Sequence, residues 1–229
     1  MTDKPSSSHL TEQAALQLGG LRDQIDEIDN ALLTLLAKRQ DLSRLIVTKK
    51  ALGSNVFRPD REVSLLRNLV AGHRDIDARL IMGLWRHIIS ASIAEQKPDY
   101  TIAHSPNGAS LADKHGAGYM MLAPQTDVAA SIAALHGRQA DCVIVTDTEM
   151  AAHSHLLVPD EVVIAASIGF LMQEGQERGY ILCRDLPLAS GDDVIVVRAS
   201  NGTLSHHDDS EDISDAEIVG RYAKPLHFS

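Results

Sequence analysis

The chain has 229 residues, 44% of them hydrophobic and 23% charged, an ordinary globular composition with room for one large domain or two small ones. Its net charge of −10 is lopsided: residues 1–100 carry 14 Lys+Arg against 13 Asp+Glu, and residues 101–229 carry 7 against 18. That argues against nucleic-acid binding by the second part, and any anion site in the first part must be built from a few placed cations.

Residues 1–17 read as a polar N-terminal tail, with Ser6, Ser7 and Ser8 in a row and no apolar stretch behind a basic start. With no apolar run long enough for a membrane span, this predicts a cytoplasmic protein without a membrane partner. Helix one is expected from near Gly20 to about Leu52, because Leu21, Ile25, Ile28, Leu32, Leu35, Leu36, Leu42 and Ile46 recur at helical spacings and Gly53 suits a stop. Helix two follows Pro59 to about Ala71, and helix three runs from an N-cap at Asp77 to just before Pro98. A helix more than 45 Å long at about 1.5 Å per residue, with two short companions, cannot bury its apolar face alone. An intertwined dimer solves that.

Periodicity changes near Gln96-Lys97-Pro98-Asp99. The domains are therefore read as an all-α helical unit over 18–98 and a small α/β domain over 99–229. In the latter the expected strands are Thr101–His104, Tyr119–Leu122, Cys142–Val145, Glu161–Ala165, Tyr180–Arg184 and Val194–Val197, with helices at Ala109–Lys114 and Asp127–His136 and a mostly parallel sheet. Asn201–Ser214 is acidic and polar and is expected as a loop. Cys142 and Cys183 match no metal spacing, and His206-His207-Asp208-Asp209 is better read as solvated loop than as a metal site. His153 and His155 are read the same way.

Several polar residues interrupt this pattern. Arg39 and Lys50 lie within about 20° of one helix face and about 16 Å apart along the axis, which fits either a solvated face or a clamp for a small dicarboxylate. Ile81, Trp85, Ile88, Ser92 and Gln96 share a face of helix three that turns polar toward its end. Arg58 and Glu62 stand one turn apart and are expected to form a surface pair. Arg22 points about 100° away from Arg39, so it suits a pocket in a partner better than one in its own subunit.

The series Leu21-Arg22-x-x-Ile25-Asp26-x-Ile28-Asp29, Leu32, Leu33, Leu35, Leu36, Arg39, then Lys50, Arg58-Pro59-Asp60-Arg61-Glu62, and Ile88-Ile89-x-x-Ser92-x-x-x-Gln96 resembles the all-helical, AroQ-class chorismate mutases over residues 18–98. The resemblance implies a homodimer that rearranges chorismate to prephenate, needing neither cofactor nor metal. It implies that Arg39, Lys50, Arg61, Glu62, Ser92 and Gln96 line one site, and that Arg22 enters from the other subunit. The reaction has no nucleophile and no proton transfer. It gains from holding the compact conformer and from stabilising charge on the ether oxygen. Carried over, Arg22 and Arg39 bind carboxylates, and Lys50 and Gln96 donate to the ether oxygen. Glu62 accepts from the ring hydroxyl, and Arg61 and Ser92 help hold substrate. Arg58 stands where several members carry an acid. It is a further substrate-binding candidate and leaves the hydroxyl contact resting on Glu62.

The same scaffold implies two alternatives, an isochorismate pyruvate lyase and a non-catalytic chorismate-binding regulatory dimer. The second part lacks the Thr-Arg-Phe signature of prephenate dehydratases. It is read as a degenerate, non-catalytic relative of that domain, as found after the mutase in some alphaproteobacterial proteins.

Overall fold

The computed structural model describes residues 7–49, 55–168, 178–211, 213 and 217–225. The chain divides into two compact units, Met1–Leu52 and Gly53–Ser229.

The described residues of the first unit form one helix, α1 (Ser7–Lys49). It starts well before Gly20, so residues 7–17 continue the helix instead of forming a separate tail. Leu10 to Gln17 are mostly good helix formers, and the Gly19-Gly20 pair costs only about 1 kcal/mol per residue against Ala, too little to stop a helix supported on both sides. The C-terminal stop expected at Leu52-Gly53 lies outside the described residues. Among the described side chains of the helix, large apolar ones are exposed from Leu16 to Ile46, including Leu21, Ile25 (56% exposed), Ile28, Leu32 (53%), Leu35 and Ile46.

The second unit begins with α2 (Pro59–Gly72) and α3 (Ala78–Gln96). Pro59 occupies the first turn of α2, and the Asp77 carboxylate caps α3 by accepting from the Arg79 amide. There follow β1 (Thr101–His104), α4 (Ala109–Gly116), β2 (Met121–Pro124), α5 (Val128–His136), β3 (Cys142–Thr146), α6 (Asp147–Ala152) and a 3-10 turn at Ser154–Leu156. The chain continues through β4 (Val163–Ile168), β5 (Gly179–Cys183), β6 (Asp193–Arg198), β7 (Leu204–Asp208) and β8 (Glu217–Ala223). All-α and α/β parts are thus both present, in the expected order.

The strands form one sheet in the order β2-β1-β3-β5-β4-β8-β6-β7. It is mixed, not mostly parallel. The pairs β1–β2, β1–β3 and β4–β8 are parallel, whereas β3–β5, β4–β5, β6–β7 and β6–β8 are antiparallel. Parallel neighbours need a long crossover, and the chain beyond β4 has only short connections. The loop expected over Asn201–Ser214 is likewise corrected. Gly202, at φ 86°, turns the chain from β6 into β7, and Leu204–Asp208 pairs along β6. Its polar composition suits an edge strand.

Alternation along β3 builds two cores. Val143 and Val145 face α5 and α6, where Ile132, Leu135 and Met150 pack with Ile164, Leu182 and Val219. Cys142 and Ile144 face the other way, into a cluster of Ile89 and Ile93 of α3, Phe57, Tyr100, Leu111 of α4 and Ile181. Helix α3 therefore shares a hydrophobic layer with the sheet. Its end is pinned there by Lys97, whose Nζ lies 2.6 Å from both carboxylate oxygens of Asp141, while the Thr101 amide donates to the same carboxylate.

Candidate active site

The expected site residues fall on both units. Arg22 and Arg39 lie on α1, Arg22 exposed and Arg39 half-buried. Seventeen residues separate them, about 25 Å of helix and about 100° of rotation. Lys50 lies outside the described residues. Arg58, Arg61 and Glu62 stand at the start of α2, and Ser92 and Gln96 in the last turns of α3.

The start of α2 does not carry the expected Arg58–Glu62 pair. Arg58 is the residue before the helix, at φ −130° and ψ 78°, so the helical rule for residues four apart does not govern its side chain. Its guanidinium turns to Asp60, with Nε donating to Oδ1 at 3.0 Å and Nη2 to Oδ2 at 2.7 Å. This hydrogen bond holds the Asp60 carboxyl below the usual carboxylate range and raises the Arg58 pKa. Arg61 faces solvent.

Glu62 looks inward, its side chain only 13% exposed. It accepts a hydrogen bond at Oε2 from Nη1 of Arg86 at 3.2 Å, across the α2–α3 contact. Burial pushes the Glu62 carboxyl above its ordinary value. The positive charge and hydrogen bond of Arg86 oppose that push, and the Asp60 charge adds to it. Arg86 is held in turn: its Nε donates to Ser90 Oγ at 3.1 Å, and Ser90 Oγ donates to the backbone carbonyl of His115 on α4 at 3.0 Å. The His115 ring is buried against the edge of Phe57, with Nδ1 3.5 Å from Arg86 Nη1. Burial and the Arg86 charge push the His115 pKa well below its ordinary value. Ser92 is buried and donates to the Ile88 carbonyl at 2.8 Å.

Arg86, Ser90 and His115 are absent from the expected set. The available signal is an arginine four residues before a serine in the run Leu80 to Ser90, where His87 is the one other polar side chain, a pattern that puts Arg86 and Ser90 on one face.

The histidine-rich segment is strand, not loop. His206 packs against Tyr180 and Tyr222, and His207 pairs with Glu211 at 2.8 Å. Among the described residues no group of three or more His, Cys, Asp or Glu is arranged to hold a metal, and no helix is long and apolar enough to cross a membrane. Cys142 and Cys183 are buried free thiols, and burial pushes the Cys142 thiol up to about 12.

Residues 21–97 match the model of the family described as chorismate mutase type II, and this stretch contains every candidate site residue named above from Arg22 to Gln96. Over residues 21–97 the chain is thus similar to that family. A curated relative, the T-protein of Enterobacter agglomerans, is 47% identical over 51 residues. That alignment takes in 22% of this chain and 14% of the relative, so the chain spans well under two thirds of the protein it matches. Two solved structures align with more of the chain. One is described as GqqA, a novel type of quorum quenching acylases (14% identity, TM-score 0.38, 54% of this chain and 94% of that one). The other is the prephenate dehydratase from Streptococcus mutans (12% identity, TM-score 0.37, 56% of this chain and all of that one).

Proposed function

We propose that the protein is a chorismate mutase of aromatic amino-acid biosynthesis, an isomerase acting as a homodimer. The observation that carries the reading is the chorismate mutase type II match over residues 21–97, a span that includes the arginines, Lys50, Glu62 and Gln96. Within one substrate molecule the ether C–O bond breaks and a C–C bond forms, so atoms and charge balance without a co-reactant. Arg22 of the partner subunit and Arg39 pair with the two carboxylates. Lys50 and Gln96 stabilise the charge that grows on the ether oxygen. Glu62 accepts from the ring hydroxyl, and Arg61, Ser92 and Arg58 complete the binding surface. The exposed leucines and isoleucines of α1 supply the apolar face for the second copy.

The test is consumption of chorismate by the purified full chain, with prephenate identified as product. Lys50→Ala is expected to lose about three orders of magnitude in kcat, since a single charged donor to a developing oxyanion is worth that much. Formation of salicylate from isochorismate without prephenate from chorismate would move the chain to lyase chemistry. Chorismate binding without turnover would make it a regulatory dimer.

A further inference from the structure

The carboxylate assigned to the ring hydroxyl is held by a residue that the proposed substrate set does not contain. Arg86 is a charged side chain in the middle of α3, and its guanidinium plane is fixed at two points. Ser90 Oγ accepts from Nε at 3.1 Å, and Glu62 Oε2 accepts from Nη1 at 3.2 Å. Ser90 is fully buried, and its one hydroxyl accepts from Arg86 while donating to the His115 carbonyl at the end of α4. His115 stacks its ring edge-on against Phe57, which anchors it in the same apolar layer as Ile89 and Ile93. The chain of contacts therefore runs from α4 through α3 to α2.

We propose that Arg86 is a positioning residue of the mutase site, holding Glu62 through Oε2 so that Oε1 meets the substrate hydroxyl, and that α4 of the α/β part sets Arg86 through Ser90 and the His115 carbonyl. The inference rests on the chorismate mutase reading. A planar guanidinium braced at Nε presents its carboxylate partner with a donor in a fixed place, and pre-setting an acceptor in this way is what a conformer-selecting enzyme needs. The groups that act on the Glu62 charge are Asp60 on α2 and Arg86 on α3, with neutral His115 on α4 behind Arg86. Of these only Arg86 favours the ionised carboxyl.

The experiment measures kcat and KM against pH on the full chain for the wild type, Arg86→Met and Arg86→Lys, with circular dichroism to confirm folding. Arg86→Met removes the charge that favours the carboxylate. Its kcat/KM at pH 7 is expected to fall about a hundredfold, and the acid limb of its profile to move up by about one pH unit, the scale of a single lost charge interaction. Arg86→Lys keeps the charge and loses the fork. Its acid limb is expected to stay within a few tenths of a unit of the wild type while kcat falls about tenfold. A merely structural arginine would lower activity without moving the limb. An active wild type with either folded variant at the wild-type rate, or with Arg86→Met keeping the wild-type limb, overturns the inference alone. If Arg86→Met fails to fold, Arg86→Gln carries the same test: an acid limb moved up by about one pH unit supports the inference, and a wild-type limb overturns it. A wild type that leaves chorismate untouched overturns the mutase reading, and this inference with it.

Discussion

At the scale of single residues, two buried ionisable groups give the protein opposite responses to acid. His115 is kept neutral by burial and by Arg86, its pKa well below the ordinary 6.5. Unfolding lets it take a proton, so its contribution to stability is present above pH 6.5 and is lost as pH falls below that. Glu62 runs the other way. Its raised carboxyl pKa makes the folded state bind a proton more readily, so its contribution is present below the ordinary 4.5 and fades as pH rises through the folded value. As pH falls from 6.5 toward 4.5 the histidine is therefore the group of the pair that lowers stability. His115→Gln is expected to flatten the loss of stability in that window by about one proton, or about 1.4 kcal/mol per pH unit well below 6.5. Denaturant midpoints of wild type and variant at several pH values would show it, and parallel curves would refute it. The sequence shows why some of this site was legible and some not. Arg22, Glu62 and Gln96 sit in a recognisable linear series. The cluster of Arg86, Ser90 and His115 joins α3 to α4 across 29 residues of chain, and no spacing rule connects them.

At the scale of elements, periodic patterns read well and compensated ones do not. Thr101–His104 is strand at the expected residues because its run is short, has Ile102 and Ala103 at its centre and is bounded by turn-forming residues. Expected Asp127–His136 is likewise α5, with Asp127 as its N-cap. Helix α6 escaped although its signal was present, since Thr146 and Glu149 form a reciprocal capping box. Strand β8 is broken in pattern by Gly220, whose position a side chain would contest: an added Cβ would come within 2.5 Å of Ile164 Cβ on the neighbouring strand. Helix α1 carries the clearest consequence. Leu32, Leu33, Leu35 and Leu36 are all exposed and cover an arc of about 160°, wider than the seam of a two-stranded coil. On a solvated helix, Leu32→Glu would change stability by no more than about 0.5 kcal/mol. In the proposed dimer it places a charge in an apolar interface. The variant is expected to sediment as a monomer at micromolar concentration and to lose mutase activity, because Arg22 no longer reaches the partner's site. A variant that stays dimeric and active would remove α1 from the interface, and a monomeric but active wild type would remove the dimer.

At the scale of the whole molecule, the family match and the packing divide the chain at different places. The chorismate mutase match ends at residue 97, whereas the compact unit containing α2 and α3 runs from Gly53 through the sheet to the end. The physical reason is the layer that α3 shares with the sheet. Ile89 is 6% exposed and Ile93 2%, among Tyr100, Ile102, Leu111 and Ile144. A chain ending at residue 98 would turn these two side chains and Phe57 out to water, at about 1.5–3 kcal/mol each. It would also remove the Asp141 partner of Lys97 and the α4 carbonyl that holds Ser90. Total stabilities of single domains are about 5–15 kcal/mol, so losses on this scale are large. A fragment of residues 1–98 is therefore expected to be less stable than the full chain by several kcal/mol in denaturant unfolding, and to have a lower kcat with chorismate. Ile93→Ala in the full chain tests the same layer by a milder route and should cost about 2–5 kcal/mol, as for other buried isoleucines cut to alanine. If the fragment matched the full chain in both stability and rate, the α/β part would be an independent module. The shared layer would then be a packing convenience with no hold on the mutase helices.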